Sequence, residues 1–300
     1  MKSPDDTSLA VLLTCHNRRE TTLRSLDTLF SQKNINKFEI SVFLVDDGST
    51  DGTAEEVSEQ YPEINILEGN GSLYWTGGMR KAMAAALEVG FDFYLWLNDD
   101  TVLFSNALRK LIDTFYKKKQ EAIGTVVGSL CDPETGEWTY GASVRSSWWH
   151  PLRFKPIFSQ DIILKADNFW GNVVLIPEVV IQKVGNLDNR LIHGAGDHDY
   201  ALRTKNAGFQ IWVVPDYIGE CPRNTIENTW KDSNLSLLER FKKILSVKER
   251  PIRNRFYYLK KHGGILFFVI FFSLYVQLLI DHVCTSLFNM ESRFSKHPFS

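Results

Sequence analysis

The sequence predicts an α/β protein, a mostly parallel sheet flanked by helices, followed by a C-terminal helical segment that associates with a membrane or with a second copy. Three observations predict it. Apolar runs of strand length alternate with segments of helical spacing over the first hundred residues, the strand runs are apolar without interruption, and an uncharged stretch at residues 263–280 follows a basic one. With 300 residues, 44% hydrophobic and 23% charged, the chain has material for one large core or for two halves.

The elements follow in order. "SLAVLLT" reads as a first strand, and "RRETTLRSLDTLFSQ" as a helix with Leu23, Leu26, Leu29 and Phe30 on one face. "EISVFLVDD" is a second strand, "TAEEVSEQY" a helix, "INILEG" a third strand, "GGMRKAMAAALEVG" a helix and "FDFYLWLNDD" a fourth strand. Right-handed crossovers put the C-terminal ends of these strands on one edge, where open α/β sheets bind ligands. The polar residues collect there: Thr14, Cys15, His16 and Asn17 after the first strand, Asp46 and Asp47 after the second, Gly69, Asn70 and Gly71 after the third, and Asn98, Asp99 and Asp100 after the fourth.

Clustered carboxylates repel unless a cation or a hydrogen-bonding ligand compensates them. "VDDGSTDGT" reads equally as a turn with Ser49, Thr50 or Asp51 capping the next helix. "NDDT" can also start a helix, but five apolar residues feeding two acids point to function. A hard divalent ion reaches a protein through one or two carboxylates plus substrate phosphates, so the edge suits a nucleoside diphosphate carried on Mg²⁺ or Mn²⁺. There is no GxxxxGK[ST] and no GxGxxG, which removes the main support for an ATPase or a dinucleotide oxidoreductase. A formal charge of −2 argues against nucleic acid as the main partner. Cys15, Cys131, Cys221 and Cys284 form no CxxC, so neither a zinc site nor a disulfide framework is expected, and a reducing compartment is the default. The apolar run at residues 9–13 is too short and too acid-flanked for a signal peptide, which makes the bulk of the protein cytosolic.

"VDDGSTDGT", "NGSLYWTGG", "LNDDT" and "GAGDHDYALR", in this order and with these elements between them, resemble family 2 glycosyltransferases of the GT-A fold. The resemblance covers roughly residues 8–260 and is strongest to bacterial rhamnosyltransferase-like enzymes of polysaccharide and O-antigen synthesis. It implies a UDP- or dTDP-sugar donor, with Thr14, Asp46 and Asp47 at the base and ribose. Asp100 would hold the metal on the diphosphate and Asp99 would face the ribose or donor sugar, while Asn98 departs from the family's acid at that position. The Gly-rich approach to the next helix, with Gly77 and Gly78, joins the nucleotide site, and a helix N-terminus favours negative charge. Arg80 reads either as a diphosphate ligand or as a solvated first-turn arginine, and Trp75 packs the helix or stacks on the donor.

Transfer to a hydroxyl also needs a general base. The resemblance implies Asp197, with Gly196 in place of the family's glutamate and Asp199 as a second acid of the acceptor pocket. Asp199 and Arg203, four apart, also fit a salt bridge along the helix, and His198 is expected to point elsewhere. Asn168, Trp170, Gly171 and Asn172 are candidates to line the donor and acceptor pocket, and "SVRSSWWHPLRF" suits sugar stacking or a packed lid. The QxxRW of processive polymerases is missing, which implies transfer of a single residue, and one direct displacement, as the resemblance implies, inverts the anomeric configuration. Residues 1–127 are then a nucleotide-sugar-binding half, 128–230 an acceptor-binding half and 231–300 the C-terminal segment. Two other readings stay open: a sugar nucleotidyltransferase, which would not need the acids at 197 and 199, and a silent nucleotide-sugar-binding subunit, which Asn98 and Gly196 keep alive.

That last segment carries Arg240, Lys242, Lys243, Lys248, Arg250, Arg253, Arg255, Lys260 and Lys261 against Glu239 and Glu249. The uncharged run after it is at the lower length limit for a transmembrane helix. Ser273, Gln277 and Asp281 give it a thin polar stripe. It reads as a helix in the membrane interface, a homo-oligomer contact, a span, or a core helix behind a solvated basic one. The basic cluster suits the anionic cytoplasmic leaflet, and a lipid-linked glycan acceptor would explain the membrane.

Overall fold

The computed structural model describes residues 7–246 and 251–294, with side chains described to Cys284. Lys248, Glu249 and Arg250 of the basic run lie outside the described residues. The chain forms two compact units, Met1–Trp149 with Arg153–Arg223, and His150–Leu152 with Asn224–Ser300.

The first unit begins as the periodicity predicts. β1 (Thr7–Cys15), α1 (Arg19–Phe30), β2 (Phe38–Asp46), α2 (Thr53–Gln60), β3 (Asn65–Glu68), α3 (Tyr74–Val89) and β4 (Phe93–Leu97) alternate. They are followed by β5 (Val102–Leu103), α4 (Ala107–Lys118), β6 (Gly124–Cys131), β7 (Trp138–Tyr140), β8 (Ala142–Arg145), β9 (Phe154–Ile157), β10 (Leu164–Ala166), β11 (Asn168–Phe169), β12 (Val173–Pro177), α5 (Glu178–Val184), α6 (Gly196–Asn206) and β13 (Gln210–Glu220).

The main sheet runs β10-β13-β6-β12-β4-β1-β2-β3. β1 is parallel to both β2 and β4, and β2 to β3, so the first four strands form one parallel block. β12 then enters antiparallel between β4 and β6, joining the expected nucleotide and acceptor halves into one sheet. A small second sheet runs β11-β8-β9.

Burial on both faces explains the unbroken apolar strands. Leu9, Val11, Leu13, Leu95 and Leu97 pack on one face with Leu26 and Leu29 of α1 and Leu108 and Leu111 of α4. Ala10, Leu12, Tyr94 and Trp96 pack on the other with Met79, Ala82 and Met83 of α3 and Tyr200 of α6. Each large side chain so buried contributes about 1.5–3 kcal/mol relative to leaving it in water.

Two helix starts differ from the simplest expectation. The residue before α2 is Gly52, at φ 80°, and Ser49, Thr50 and Asp51 precede it, with Asp51 Oδ1 accepting from Thr53 N at 3.2 Å. α3 has no side-chain cap of its own. Its first amides are instead met from β2, as described below.

In the second unit α7 (Leu237–Leu245) opens with a capping box between Ser236 and Glu239. α8 (Ile252–His262) and α9 (Phe267–Phe294) follow. Trp230, Ile244, Leu274 and Leu278 form the buried core of this unit.

Candidate active site

The order 3-2-1-4 reverses direction between β1 and β4, and the crevice outside such a reversal is where open α/β sheets bind ligands. The residues that leave β1 and β4 meet there. Nη1 of Arg18 donates to Asp99 Oδ1 at 3.1 Å and to Asp100 Oδ2 at 2.8 Å. Asp99 is buried, and burial pushes its carboxyl up to about 7, against the pull of Arg18 and with a further push from Asp100. Asp100 has its side chain 22% exposed and also accepts from the Cys221 thiol, Sγ to Oδ1 3.5 Å. Burial and the neighbouring Asp100 raise the Cys221 pKa, so the sulfur stays protonated and able to donate.

Asn98 has a structural reason to be neutral. Its Oδ1 accepts from Trp75 Nε1 at 2.7 Å and its N–H donates to Asn172 O at 3.0 Å. An aspartate would take the same indole bond but would place a third carboxylate beside Asp99 and Asp100. Trp75 is therefore a packing residue with a polar tie, its ring 5.6 Å from Trp96 edge-on. Asn172 is buried, and its Nδ2 lies 3.7 Å from Cys221 Sγ, which closes a ring of contacts back to Asp100.

The acids after β2 organise backbone. Asp46 Oδ1 accepts from Ser49 N at 2.8 Å, closing the turn. Asp47 accepts three amides: Gly71 N on Oδ1 at 2.8 Å, and Leu73 N and Tyr74 N on Oδ2 at 2.8 and 2.9 Å. The carboxylate thus caps α3 from the neighbouring strand, satisfying donors that a helix start leaves unpaired. Thr14 faces α3 at Gly78, where a Cβ would lie 2.1 Å from Thr14 Oγ1, so glycine is required for the helix to pack on β1. Gly77 is buried in the same turn against Leu73.

Arg80 lies elsewhere. Two residues on from Gly78 it occupies the opposite side of α3. With Gly77 and Lys81 it lines an open groove of about 640 Å³ that residues 186–189 border, and Asn186 Nδ2 donates to its carbonyl. None of Asp46, Asp47, Asp99 and Asp100 lines that groove.

The expected acceptor side is assembled around Gly171. A Cβ there would fall 2.5 Å from the Trp75 ring and 3.3 Å from Asp197 Cβ, so glycine lets the indole and the carboxylate approach the same backbone. Asp197 Oδ2 accepts from Gly171 N at 3.1 Å and Oδ1 from His198 N at 2.8 Å. Gly196, where the family resemblance leads one to expect glutamate, has no room for it: a Cβ would meet Thr76 at 2.6 Å.

Asp199 does not line a pocket. It is fully buried, paired with Arg203 Nε at 2.8 Å, and Arg203 also donates to Val184 O and Asn186 O. This pair ties α6 to the end of α5 and the loop after it. His198, expected to point away, instead joins the wall: its Nδ1 is 3.0 Å from Asn168 Oδ1 and its ring 5.6 Å from Trp170, which meets Trp138 at 5.6 Å.

The structure therefore brings Asn98, Asp99, Asp100, Asn172 and, through Trp75 and Gly171, Asp197 into one contiguous network. Thr14, Asp46 and Asp47 stand at the ends of the neighbouring strands β1 and β2 and contact the turn and helix that follow rather than this network. Arg18, Cys221 and His198 are the residues that sequence reasoning missed; for Arg18 a signal existed, a cation following a strand end on the same edge as two unneutralised acids.

The donor set fits a hard divalent cation. Asp100, helped by Asp99, offers oxygen ligands in a partly open position, and one or two carboxylates completed by diphosphate oxygens is how such ions are commonly held. No group of three or more His, Cys, Asp and Glu exists among the described residues, so the protein alone does not complete a shell.

The solved structures most useful for comparison share the fold at low identity. The mannosyltransferase PcManGT from Pyrobaculum calidifontis, in complex with GDP-Man and Mn²⁺, matches with a TM-score of 0.54 and 13% identity over 98% of this chain and 76% of its own. TarS residues 1–349 from S. aureus match with a TM-score of 0.51 and 13% identity over 84% and 70%. No curated protein matches the chain. The sequence matches the family described as glycosyl transferase family 2 over residues 10–180. With that match over more than half its length, and a GT-A sheet carrying acids at its switch point, the chain belongs to glycosyl transferase family 2.

Proposed function

We propose that the chain transfers a single sugar from a nucleoside-diphosphate donor, a UDP- or dTDP-sugar, to a hydroxyl of a glycan or lipid-linked acceptor in cell-surface polysaccharide synthesis, with inversion. The observation that supports this best is the continuous network from the Asp99–Asp100 pair, through Asn98, Trp75 and Gly171, to Asp197. It links a site for a charged leaving group to a candidate base.

In this reading Asp197 takes the proton of the attacking hydroxyl. Two backbone amides, from Gly171 and His198, fix its carboxylate while leaving lone pairs for an acceptor. The Asp199–Arg203 pair holds the helix that carries it. Asp99 and Asp100 hold Mg²⁺ or Mn²⁺, which when bound supplies charge neutralisation for the departing diphosphate. The neighbour solved with GDP-Man and Mn²⁺ supports the class of donor and the need for an ion without naming this chain's base. Trp170, Trp138 and His198 offer ring faces and edges suited to a sugar. The catalytic unit works at the cytoplasmic face of the membrane, held by the basic and apolar helices of the second unit.

Asp197→Asn keeps the size and removes the base, and its single amide oxygen can accept from only one of the two backbone amides. Transfer to acceptor should fall by at least about a hundredfold while nucleotide affinity is unchanged. An unchanged transfer rate would reject Asp197 as the base, and an unchanged host glycan would favour a silent binding subunit.

A further inference from the structure

The second unit carries a surface that sugar transfer does not use. Phe268, Val269, Phe272, Val276, Leu279 and Val283 are each more than half exposed, and their spacing puts them on one face of α9. They form a strip about 22 Å long of Phe, Val and Leu, more than a soluble surface normally leaves open. The opposite face, Ile270, Leu274 and Leu278, is buried in the unit's own core.

The composition of the two helices packed on its other side bears on what covers it. Lys242, Arg253, Lys260 and Lys261 are exposed on α7 and α8, and so are the apolar Phe241 and Phe256. Apolar side chains presented together with Lys and Arg are the composition of helices that lie on anionic bilayers.

The packing of α8 and α7 decides how α9 meets the bilayer. Nη2 of Arg255 donates to Ile270 O at 2.6 Å and to Phe271 O at 3.2 Å. Phe256 packs edge-on at 5.9 Å from Phe267 and from Phe271, and Phe241 is 5.9 Å from Tyr275. Further along, Ile244 of α7 joins Leu274 and Leu278. The apolar window Gly264–Cys284 is thus accompanied along one side by helices that carry Arg255, Lys242 and Lys243. If α9 crossed the bilayer, Arg255 would lie about 6 Å along the axis from the middle of that window, near the costliest depth for a charge.

We propose that α7, α8 and α9 form an in-plane membrane platform, with α9 lying along the interface of an anionic bilayer, its exposed strip in the acyl boundary and the Lys and Arg side chains at the headgroups. It rests on the reading that the protein works at a membrane surface and selects one of the four sequence readings of this segment.

The full chain with a C-terminal epitope, added to sealed, preformed vesicles of phosphatidylcholine with and without phosphatidylglycerol, tests it. The platform floats with the phosphatidylglycerol vesicles, leaves them in alkaline carbonate, and keeps its epitope open to external protease. Phe272→Glu, at an exposed position, lowers the bound fraction by at least about tenfold with an unchanged circular dichroism spectrum. Lys260→Glu with Lys261→Glu weakens binding only where phosphatidylglycerol is present. Carbonate-resistant binding with a protected epitope overturns the in-plane arrangement alone and leaves the membrane reading intact. No flotation from either lipid overturns the membrane reading itself; if Phe272→Glu then splits a dimer, the strip belongs to a second copy.

Discussion

Nη1 of Arg18 donates to Asp100 Oδ2 at 2.8 Å, and the same nitrogen reaches Asp99 at 3.1 Å. A nitrogen bridging two carboxylates stands where a cation shared by them would stand, so the two occupants exclude each other. Arg18→Ala should tighten Mn²⁺ binding to the donor-free protein by several-fold. The gain is modest because the Arg18 side chain is 45% exposed, and a pair so exposed is worth about 1 kcal/mol or less. Mn²⁺ titration followed by electron paramagnetic resonance reads this directly; weaker binding in the variant would mean that Arg18 cooperates with the ion.

Asp47 satisfies three amides at the start of α3. Asp47→Ala frees them in a part-buried turn and should destabilise the first unit by about 1–3 kcal/mol in chemical denaturation, with Asp47→Asn milder because it keeps one acceptor oxygen. An unchanged midpoint for Asp47→Ala would show that the carboxylate does not hold this turn.

Asp199 tests a distinction between scaffold and pocket. Removing one partner of a buried pair costs about 3–5 kcal/mol, so Asp199→Ala should lower stability by that order while the acceptor KM of the folded fraction stays the same. A raised KM at unchanged stability would return Asp199 to the acceptor pocket.

Gly78 sits too close to Thr14 for any side chain. Gly78→Ala should cost about 1–3 kcal/mol by overpacking, and Thr14→Gly in the same chain should recover part of it. A neutral Gly78→Ala in a thermal melt would contradict the close helix–strand contact.

Thiol chemistry gives a simple check of the fold. Cys15, Cys131 and Cys221 are buried, with burial raising each thiol pKa, whereas Cys284 is exposed. Without lipid, Cys284 should react rapidly with a thiol reagent and the other three only on unfolding. Rapid reaction of all four would contradict the burial of the β1 and β13 ends.

The alternation from β1 to β4 was legible because unbroken apolar strands and helical spacing are local signals. So was the gathering of acids on one edge, which follows from right-handed crossovers. The insertion of β12 between β4 and β6 was not, since antiparallel pairing over some eighty residues leaves no local mark. The same holds for side-chain direction. Spacing along α6 identified Arg203 as a partner for Asp199, but not that Asp199 is fully buried. It turned His198 away because Asn168 and Trp170, which receive it, come from another part of the chain. Which side of α3 Arg80 occupies, with Lys81 and residues 186–189, was likewise not legible.

Donor turnover tests the proposed transfer most directly. Release of nucleoside diphosphate should be measured across UDP-, dTDP- and GDP-sugars with Mn²⁺, Mg²⁺ or EDTA, for the wild type and for Asp100→Asn, with calorimetry on the same panel. One donor should be turned over, EDTA should stop it, and Asp100→Asn should lower it by at least about a hundredfold. Turnover that survives both EDTA and Asp100→Asn, or no donor bound by the wild type, would contradict the proposed transfer.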